Sequence, residues 1–418
     1  RGRLSPLLSR PSLRRRTTHG AARHYRRPRL PRPAGSPPCP PAHKRSSHTP
    51  DRRDAPPPTA AATVQAARHF LRRGKVWNPV FGTVTPLTQL TLFDMGFASD
   101  PLPEDLVDDE RLRVVTGDVT IPGVAAELID RPDTSVIHLA SMVSGDTEAQ
   151  PDLGWAVNVE GQRAILDAIA TNAPGGRFLF TSSTACIGPV GGDAAAAPHD
   201  GTKLLPQNTY GFHKAVCELM LNDYSRRNLV DGRGLRLPVI AVRPGAPNAA
   251  LTGAWSTVVR DPLAGRSCTV PVPLDVRMPV ASYQSVVRAM DYLLNDVELA
   301  ALGADRTFML PSLSVSPQEL MDATAPLAEA HGLSLGAVEE QISPIAERVV
   351  RGMGSRTDGS RARALGIEGD ESVEAIVRGY MDEYVLPGGA GIRTREPLPP
   401  HPAGEASMQL PPENWPKE

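Results

Sequence analysis

RFLFTSSTACIG at residues 177–188, followed by YGFHK at residues 210–214, decides how this chain is read. The first stretch opens on apolar and aromatic residues, the composition of a strand buried on both faces, and then delivers Ser182 and Ser183 to the strand's carboxyl end. In open α/β sheets, ligands bind at that edge. The second stretch puts Tyr210 and Lys214 four residues apart, one above the other on the same face of a helix expected over about 210–226. An ammonium beside a phenol favours the phenolate and lowers a pKa that is ordinarily about 10, so such a tyrosine can take a proton from an alcohol near neutral pH. An ordinary helix-surface pair is the alternative. Scarcity argues against it: with seven Tyr in the chain and Lys only at 44, 75, 203, 214 and 417, this spacing seldom arises by chance.

Outward from this pair, the periodicity predicts a helix near 64–73 that ends at Gly74, and strands at 87–93 (LTQLTLF, closed by Asp94), 112–116, 135–140 and 239–243. A helix is expected over about 153–170. Short apolar strands alternating with amphipathic helices spell an α/β fold with a parallel sheet covered on both faces. Past Gly245 the pattern loosens, with helices expected at 282–295, 316–330, 335–350 and 371–384. After Leu386 the chain turns proline-rich, so residues 386–418 read as a flexible tail.

The net charge of −1 averages two unlike parts. Residues 1–60 hold 14 Arg, Lys44 and only Asp51 and Asp54 as acids, which leaves 30 basic and 44 acidic residues in the rest. An acidic body argues against nucleic acid as the main partner, because phosphate neutralisation needs clustered Lys and Arg. No apolar run reaches the roughly 18 residues of a membrane-spanning helix, so no membrane partner is expected. Cys39, Cys186, Cys217 and Cys268 share no metal-ligand spacing and are too sparse for a disulfide framework, which suits a reducing compartment such as the cytoplasm. The basic leader also carries 13 prolines and no apolar periodicity. Three readings fit it: a stretch foreign to the native protein, an organellar presequence, or a nucleic-acid-binding arm.

The order of motifs resembles the extended short-chain dehydrogenase/reductase (NAD-dependent epimerase/dehydratase) family over about Val64 to Leu386. Besides the strand, Ser183 and Tyr-x-x-x-Lys, it includes Asp94 after the second strand of the family pattern, Gly117-Asp118 after the third, and His138-Leu139-Ala140-Ser141 after the fourth. Asn158-Val-Glu-Gly161 and Arg243-Pro244-Gly245 complete it. The stretches at 221–238 and 242–265 are similar to a branch of that family that oxidises D-erythronate, a four-carbon sugar acid, with NAD.

The resemblance implies a Rossmann-type doubly wound sheet over 63–244 and a smaller substrate-binding part over 245–385. Ser183 would hold the reacting oxygen, Tyr210 would exchange its proton, and Lys214 would lower the Tyr pKa and bind the nicotinamide ribose. Asp94 would accept the adenine-ribose hydroxyls, its charge favouring NAD over a phosphorylated cofactor. Asp118, Ala140, Ser141 and Asn158 would line the cofactor groove. A planar guanidinium is the natural fork for a substrate carboxylate, so Arg277 is the first candidate to hold it and Asn248 the second. The assembly expected is a homodimer.

A dinucleotide fold should also open with a buried strand and a Gly-rich turn for the pyrophosphate. The glycines before Asp94 stand at 2, 20, 35, 74 and 82, and none is spaced for that turn. Pro79 argues against Lys75 to Val84 as a replacement for the strand. Residues 1–62 are therefore expected to stand in place of the domain's true start. Two other functions stay open, a nucleotide-sugar epimerase or dehydratase of the same fold and a non-catalytic Rossmann module without its phosphate loop.

Overall fold

The computed structural model describes residues 59–96, 102, 104–188, 197–244 and 251–386. The leader before Thr59, with the expected loss of a strand and glycine turn, lies outside the described residues, as do Asn248 and the chain beyond Leu386.

Thirteen strands are described. β1 (Lys75–Asn78) and β2 (Thr83–Pro86) form an antiparallel hairpin, β3 (Leu90–Asp94) and β4 (Leu112–Thr116) a parallel pair. A second parallel sheet, in the order β11-β7-β6-β5, joins Thr307–Met309 (β11), Asp231–Leu237 (β7), Arg177–Ser183 (β6) and Val136–His138 (β5). Pro79 sits in the turn between β1 and β2, where its missing N–H costs no ladder bond. Among the described residues the hairpin is not hydrogen-bonded into the parallel sheets, and β3 and β5 do not pair with each other. A third sheet, β12-β10-β8, combines Leu313–Val315 (β12), Met278–Ala281 (β10) and Val239–Ile240 (β8), and a further pair joins β9 (Cys268–Val270) to β13 (Val338–Glu340).

β6 is buried on both faces, as its composition requires. Phe178 and Phe180 pack with Leu166, Ile169 and Leu221 on one side, whereas Leu179 packs with Leu235, Phe308, Leu293 and Leu294 on the other. Its neighbour β7 is absent from the sequence-based assignment because DGRGLRL has neither an apolar run nor a clean alternation. Gly232 explains why a glycine stands in a central strand: a Cβ there would come within 2.3 Å of Ser225 Oγ and 2.6 Å of Leu221 Cδ1, so the helix Thr209–Arg226 lies directly on the backbone. The helix expected over 335–350 is corrected to β13 followed by a helix at Pro344–Gly352, where Pro344 takes the first helical position that a missing N–H favours.

At the amino edge of the sheet, Arg177 and Arg233 are fully buried. Arg177 Nη1 donates to the carbonyls of Leu294 (2.6 Å) and Asn295 (3.1 Å), and Arg233 Nη1 to those of Leu293 and Val297 (2.6 Å). These carbonyls end the helix Tyr283–Asn295, where unpaired acceptors and the negative end of the dipole favour cations. Asp231 accepts from both arginines, at 3.2 Å and 2.7 Å, and Trp77 of the hairpin lies 3.4 Å beneath the Arg177 guanidinium. Burial, with Arg233 alongside, pushes Arg177 down to about 10.

This arrangement makes Arg233→Met costly. It would leave Asp231 short of its bidentate partner and two helix carbonyls unpaired, so a loss of about 3–5 kcal/mol is expected in urea unfolding. A loss under about 1 kcal/mol would show that the arginine is replaceable by apolar packing.

Candidate active site

The helix Thr209–Arg226 begins at Asn208, whose side chain accepts from Gly211 N at 2.7 Å. Its first turn lies against the carbonyl of Ala185, in the short turn Thr184–Cys186 that follows β6: a Cβ on Gly211 would fall 2.2 Å from that oxygen. Close approach of helix and turn brings the Tyr210 phenol beside the Ser183 hydroxyl. Ser183 Oγ also accepts from Ala185 N at 3.1 Å, which orients the hydroxyl at the strand's end. One turn along, Lys214 is 3% exposed. Its Nζ donates to the carbonyl of Thr181 at 2.8 Å and lies 5.5 Å from the Tyr210 ring centroid and 4.8 Å from that of Phe180. The structure therefore assembles Ser183, Tyr210 and Lys214 at the carboxyl edge of β6.

Their electrostatics correct one expectation. Burial, rather than the neighbouring ammonium, dominates both groups: it pushes the Tyr210 phenol up to about 12 and Lys214 down to about 8. Against that rise, the Ser183 hydroxyl and then the positive charge of Arg243 favour the phenolate. Arg243 carries no role in the sequence reading. It follows β8 at the sheet's carboxyl edge, with its backbone N–H on Ser256 Oγ at 3.0 Å, and no carboxylate pairs with its guanidinium among the described residues. The available signal is its place at the end of an apolar strand, just before Pro244-Gly245.

Asn158 is buried in a single wide turn of π-helix, Ala156–Glu160, a distortion that often marks functional segments. Its Oδ1 accepts from Met142 N (2.7 Å) and Ser141 Oγ (3.2 Å), and its Nδ2 donates to Met142 O at 3.1 Å. His213 Nδ1, beside Lys214 in sequence, stands 3.3 Å from the same amide. Asn158 thus ties the loop bearing Ala140 and Ser141 to the Tyr210 helix. At the end of β5, His138 is buried and pushed down to about 3 by burial and then by Lys214, so it is neutral beside the ammonium.

Asp94 ends β3 and accepts from Gly96 N at 2.8 Å; Asp118 follows β4 and accepts from Thr120 N (2.8 Å) and Oγ1 (2.7 Å). Both lie at carboxyl ends of strands, and neither bonds to the Ser-Tyr-Lys group among the described residues. Arg277 is engaged elsewhere. It is about half exposed, donates to Glu319 Oε1 at 2.6 Å and to Ser314, and makes no contact with Ser183, Tyr210 or Lys214 among the described residues.

Comparison with known proteins places these features in a family context. Residues 95–303 match the NAD dependent epimerase/dehydratase family. D-erythronate dehydrogenase of Cupriavidus necator is 38% identical over 329 residues, covering 77% of this chain and 95% of that protein. Its counterpart in Haemophilus influenzae is 34% identical, covering 66% of this chain and 85% of its own length. Among solved structures, a nucleoside-diphosphate-sugar epimerase from Agrobacterium tumefaciens aligns with a TM-score of 0.66 at 29% identity, over 80% of this chain and 97% of that one. A GalE-like L-threonine dehydrogenase from Cupriavidus necator shares the fold at a TM-score of 0.61 and 19% identity, over 76% and 94%.

The buried ammonium has a measurable signature. Lys214 is depressed from 10.5 to about 8, so the folded chain releases this proton before the unfolded chain does. Stability linked to it is therefore complete above the unfolded value and is lost as pH falls through the folded one. Between pH 7 and pH 9.5 the native protein should gain about 2 kcal/mol relative to Lys214→Met, read from urea midpoints at the two pH values. A constant difference would mean that Lys214 titrates as an exposed lysine does.

Proposed function

We propose, for a chain that belongs to the NAD dependent epimerase/dehydratase family, that it oxidises the alcohol of a small sugar acid, D-erythronate above all, to the 2-oxo acid. The chain is an oxidoreductase with NAD as its cofactor. The observation that carries the reading is the convergence of Ser183, Tyr210 and Lys214, with the Lys214 ammonium seated on the Thr181 carbonyl, joined to relatives at 34–38% identity that are named for this substrate.

The donor set suits NAD on its two ribose sides. Asp94, at the end of β3, offers a carboxylate acceptor for hydroxyls and repels a 2′-phosphate, and Lys214 offers an ammonium donor. Asp118, Ala140 and Ser141 would line the groove between them. NAD, when bound, supplies the hydride acceptor. The protein's own part is proton handling: Ser183 orients the alcohol oxygen, and Tyr210, in its phenolate form, accepts the proton as the carbon loses hydride. Lys214 and Arg243 stabilise the negative charge that passes through the phenol.

For the substrate carboxylate, Arg243 is better placed than Arg277. Its positive charge acts on Tyr210 and lacks a protein carboxylate among the described residues, whereas Arg277 is already paired with Glu319. Desolvation in these surroundings lowers the Arg243 pKa, and an anionic ligand would offset that cost. A cytoplasmic homodimer completes this reading; the free thiols of Cys186, Cys217 and Cys268 suit a reducing compartment.

Steady-state NADH formation with D-erythronate and its epimers tests the proposal. Stoichiometric NADH is expected, whereas a nucleotide-sugar epimerase, the activity named for the Agrobacterium structure, would recycle its cofactor with no net NADH. Tyr210→Phe should lose roughly 10²–10⁴ in turnover, and retention of more than about a tenth of the native rate would remove it as the proton carrier. Asp94→Ala should narrow the preference for NAD over NADP; equal efficiency with both cofactors in the native protein would displace Asp94 from the ribose.

A further inference from the structure

Tyr210, Lys214 and Glu218 succeed one another at four-residue steps along one face of their helix, and each engages a different residue at the end of β6. Tyr210 stands beside Ser183, and Lys214 takes the Thr181 carbonyl at 2.8 Å. Glu218 Oε1 accepts from Ser182 Oγ at 2.5 Å and from Cys186 Sγ at 3.5 Å, so a single carboxylate oxygen is bonded both just before and just after Ser183. Glu218 is 2% exposed and is itself held by Arg236, which donates Nε to Oε1 at 2.9 Å and Nη2 to Oε2 at 2.7 Å. Arg236 lies on β7 directly across from Ser182 and donates Nη1 to the Asp200 carbonyl at 2.9 Å.

A buried ion pair is a poor way to gain stability, because desolvation of both charges cancels most of their attraction and an apolar pair often does as well. Its use here is geometric. We propose that Glu218, clamped by Arg236, is a positioning residue: it grips the chain on both sides of Ser183 and sets the register of the helix that carries Tyr210 and Lys214 against β6. This rests on the reading of Ser183, Tyr210 and Lys214 as the reacting group.

Among the described residues, Glu218 is the carboxylate whose charge acts on Lys214. On the same helix, Cys217 is pushed up to about 12 and Tyr210 likewise, so both are neutral; His213 is pushed down. From β5, His138 is pushed down to about 3, and from the turn after β6 the Cys186 thiol is pushed up, in each case mainly by burial. Burial lowers Lys214, and Cys217 and then Glu218 oppose that effect, so removal of the carboxylate should move the alkaline limb of the activity profile to lower pH.

Two double variants separate grip from fold. Glu218→Leu with Arg236→Met replaces the pair by apolar side chains of similar volume and removes the acceptor. Glu218→Gln with Arg236→Met removes both charges but keeps an oxygen for Ser182 and Cys186. Urea midpoints should be close to native in both. With the Leu variant, kcat should fall roughly 10- to 100-fold, the scale of a small misplacement of reacting groups. Amide exchange, followed by mass spectrometry, should rise within residues 181–187 and 209–215 and nowhere else. The Gln variant should retain kcat within about threefold at its optimum, with the alkaline limb at lower pH. Native kcat and native exchange in the Leu variant would overturn the proposal, and so would lost kcat with unchanged exchange. If the native protein makes no NADH from sugar acids, the functional reading fails, and the exchange data still decide whether Glu218 sets the register.

Discussion

The ammonium of Lys214, buried on the carbonyl oxygen of Thr181, is the constraint from which the site follows. A charge taken out of water must find hydrogen bonds and polarisable surroundings or give up its proton. Here it finds the end of a strand on one side and two aromatic faces on the other. Those partners exist only if the helix Thr209–Arg226 lies almost in contact with the backbone of β6 and β7. Gly211 and Gly232 permit that, since a methyl group at either position would collide with the neighbouring chain. Helix seating, lysine burial and the placing of Tyr210 beside Ser183 are therefore one structural event.

The opposite edge of the sheet is organised by the same economy of buried charge. Arg177 and Arg233 pass beneath the strands to the last carbonyls of the helix Tyr283–Asn295, with Asp231 between them. Fixed at one end by this cap, β6 and β7 emerge at the other with little freedom, and the reacting side chains stand there. Glu218 and Arg236 continue the pattern inside the sheet. The chain thus spends its buried ionic groups on alignment along a single axis, from the amino edge to the carboxyl edge.

Family membership and site geometry support each other from different sides. The match to residues 95–303 and the relatives at 34–38% identity concern the chain as a whole, whereas the convergence of Ser183, Tyr210 and Lys214 concerns atoms. The choice of substrate rests on a narrower base: the three residues at the end of β6, the names of those relatives, and an Arg243 without a carboxylate partner among the described residues. Asn158 shows why a matching position need not mean direct contact with a ligand. Its amide is taken up by the 141–142 loop, so it would shape the groove through that loop.

By itself, the sequence determined the α/β class and pointed to Ser183, Tyr210 and Lys214 as one group, because both are written in short-range terms. The apolar run of β6 and the four-residue step from Tyr210 to Lys214 need no knowledge of distant residues. β7 escaped that reading, since its glycines and arginines acquire meaning only from the helix lying on them and the carbonyls they reach. The same holds for Arg243, Glu218 and Arg236. Nothing local distinguishes an arginine paired to Glu319 on the surface from one whose charge acts on a buried phenol, and so Arg277 looked as suitable as any. The expected lowering of the Tyr210 pKa by Lys214 failed for a related reason: spacing reports proximity, but the cost of burial depends on everything packed around the pair, and only the tertiary structure supplies that.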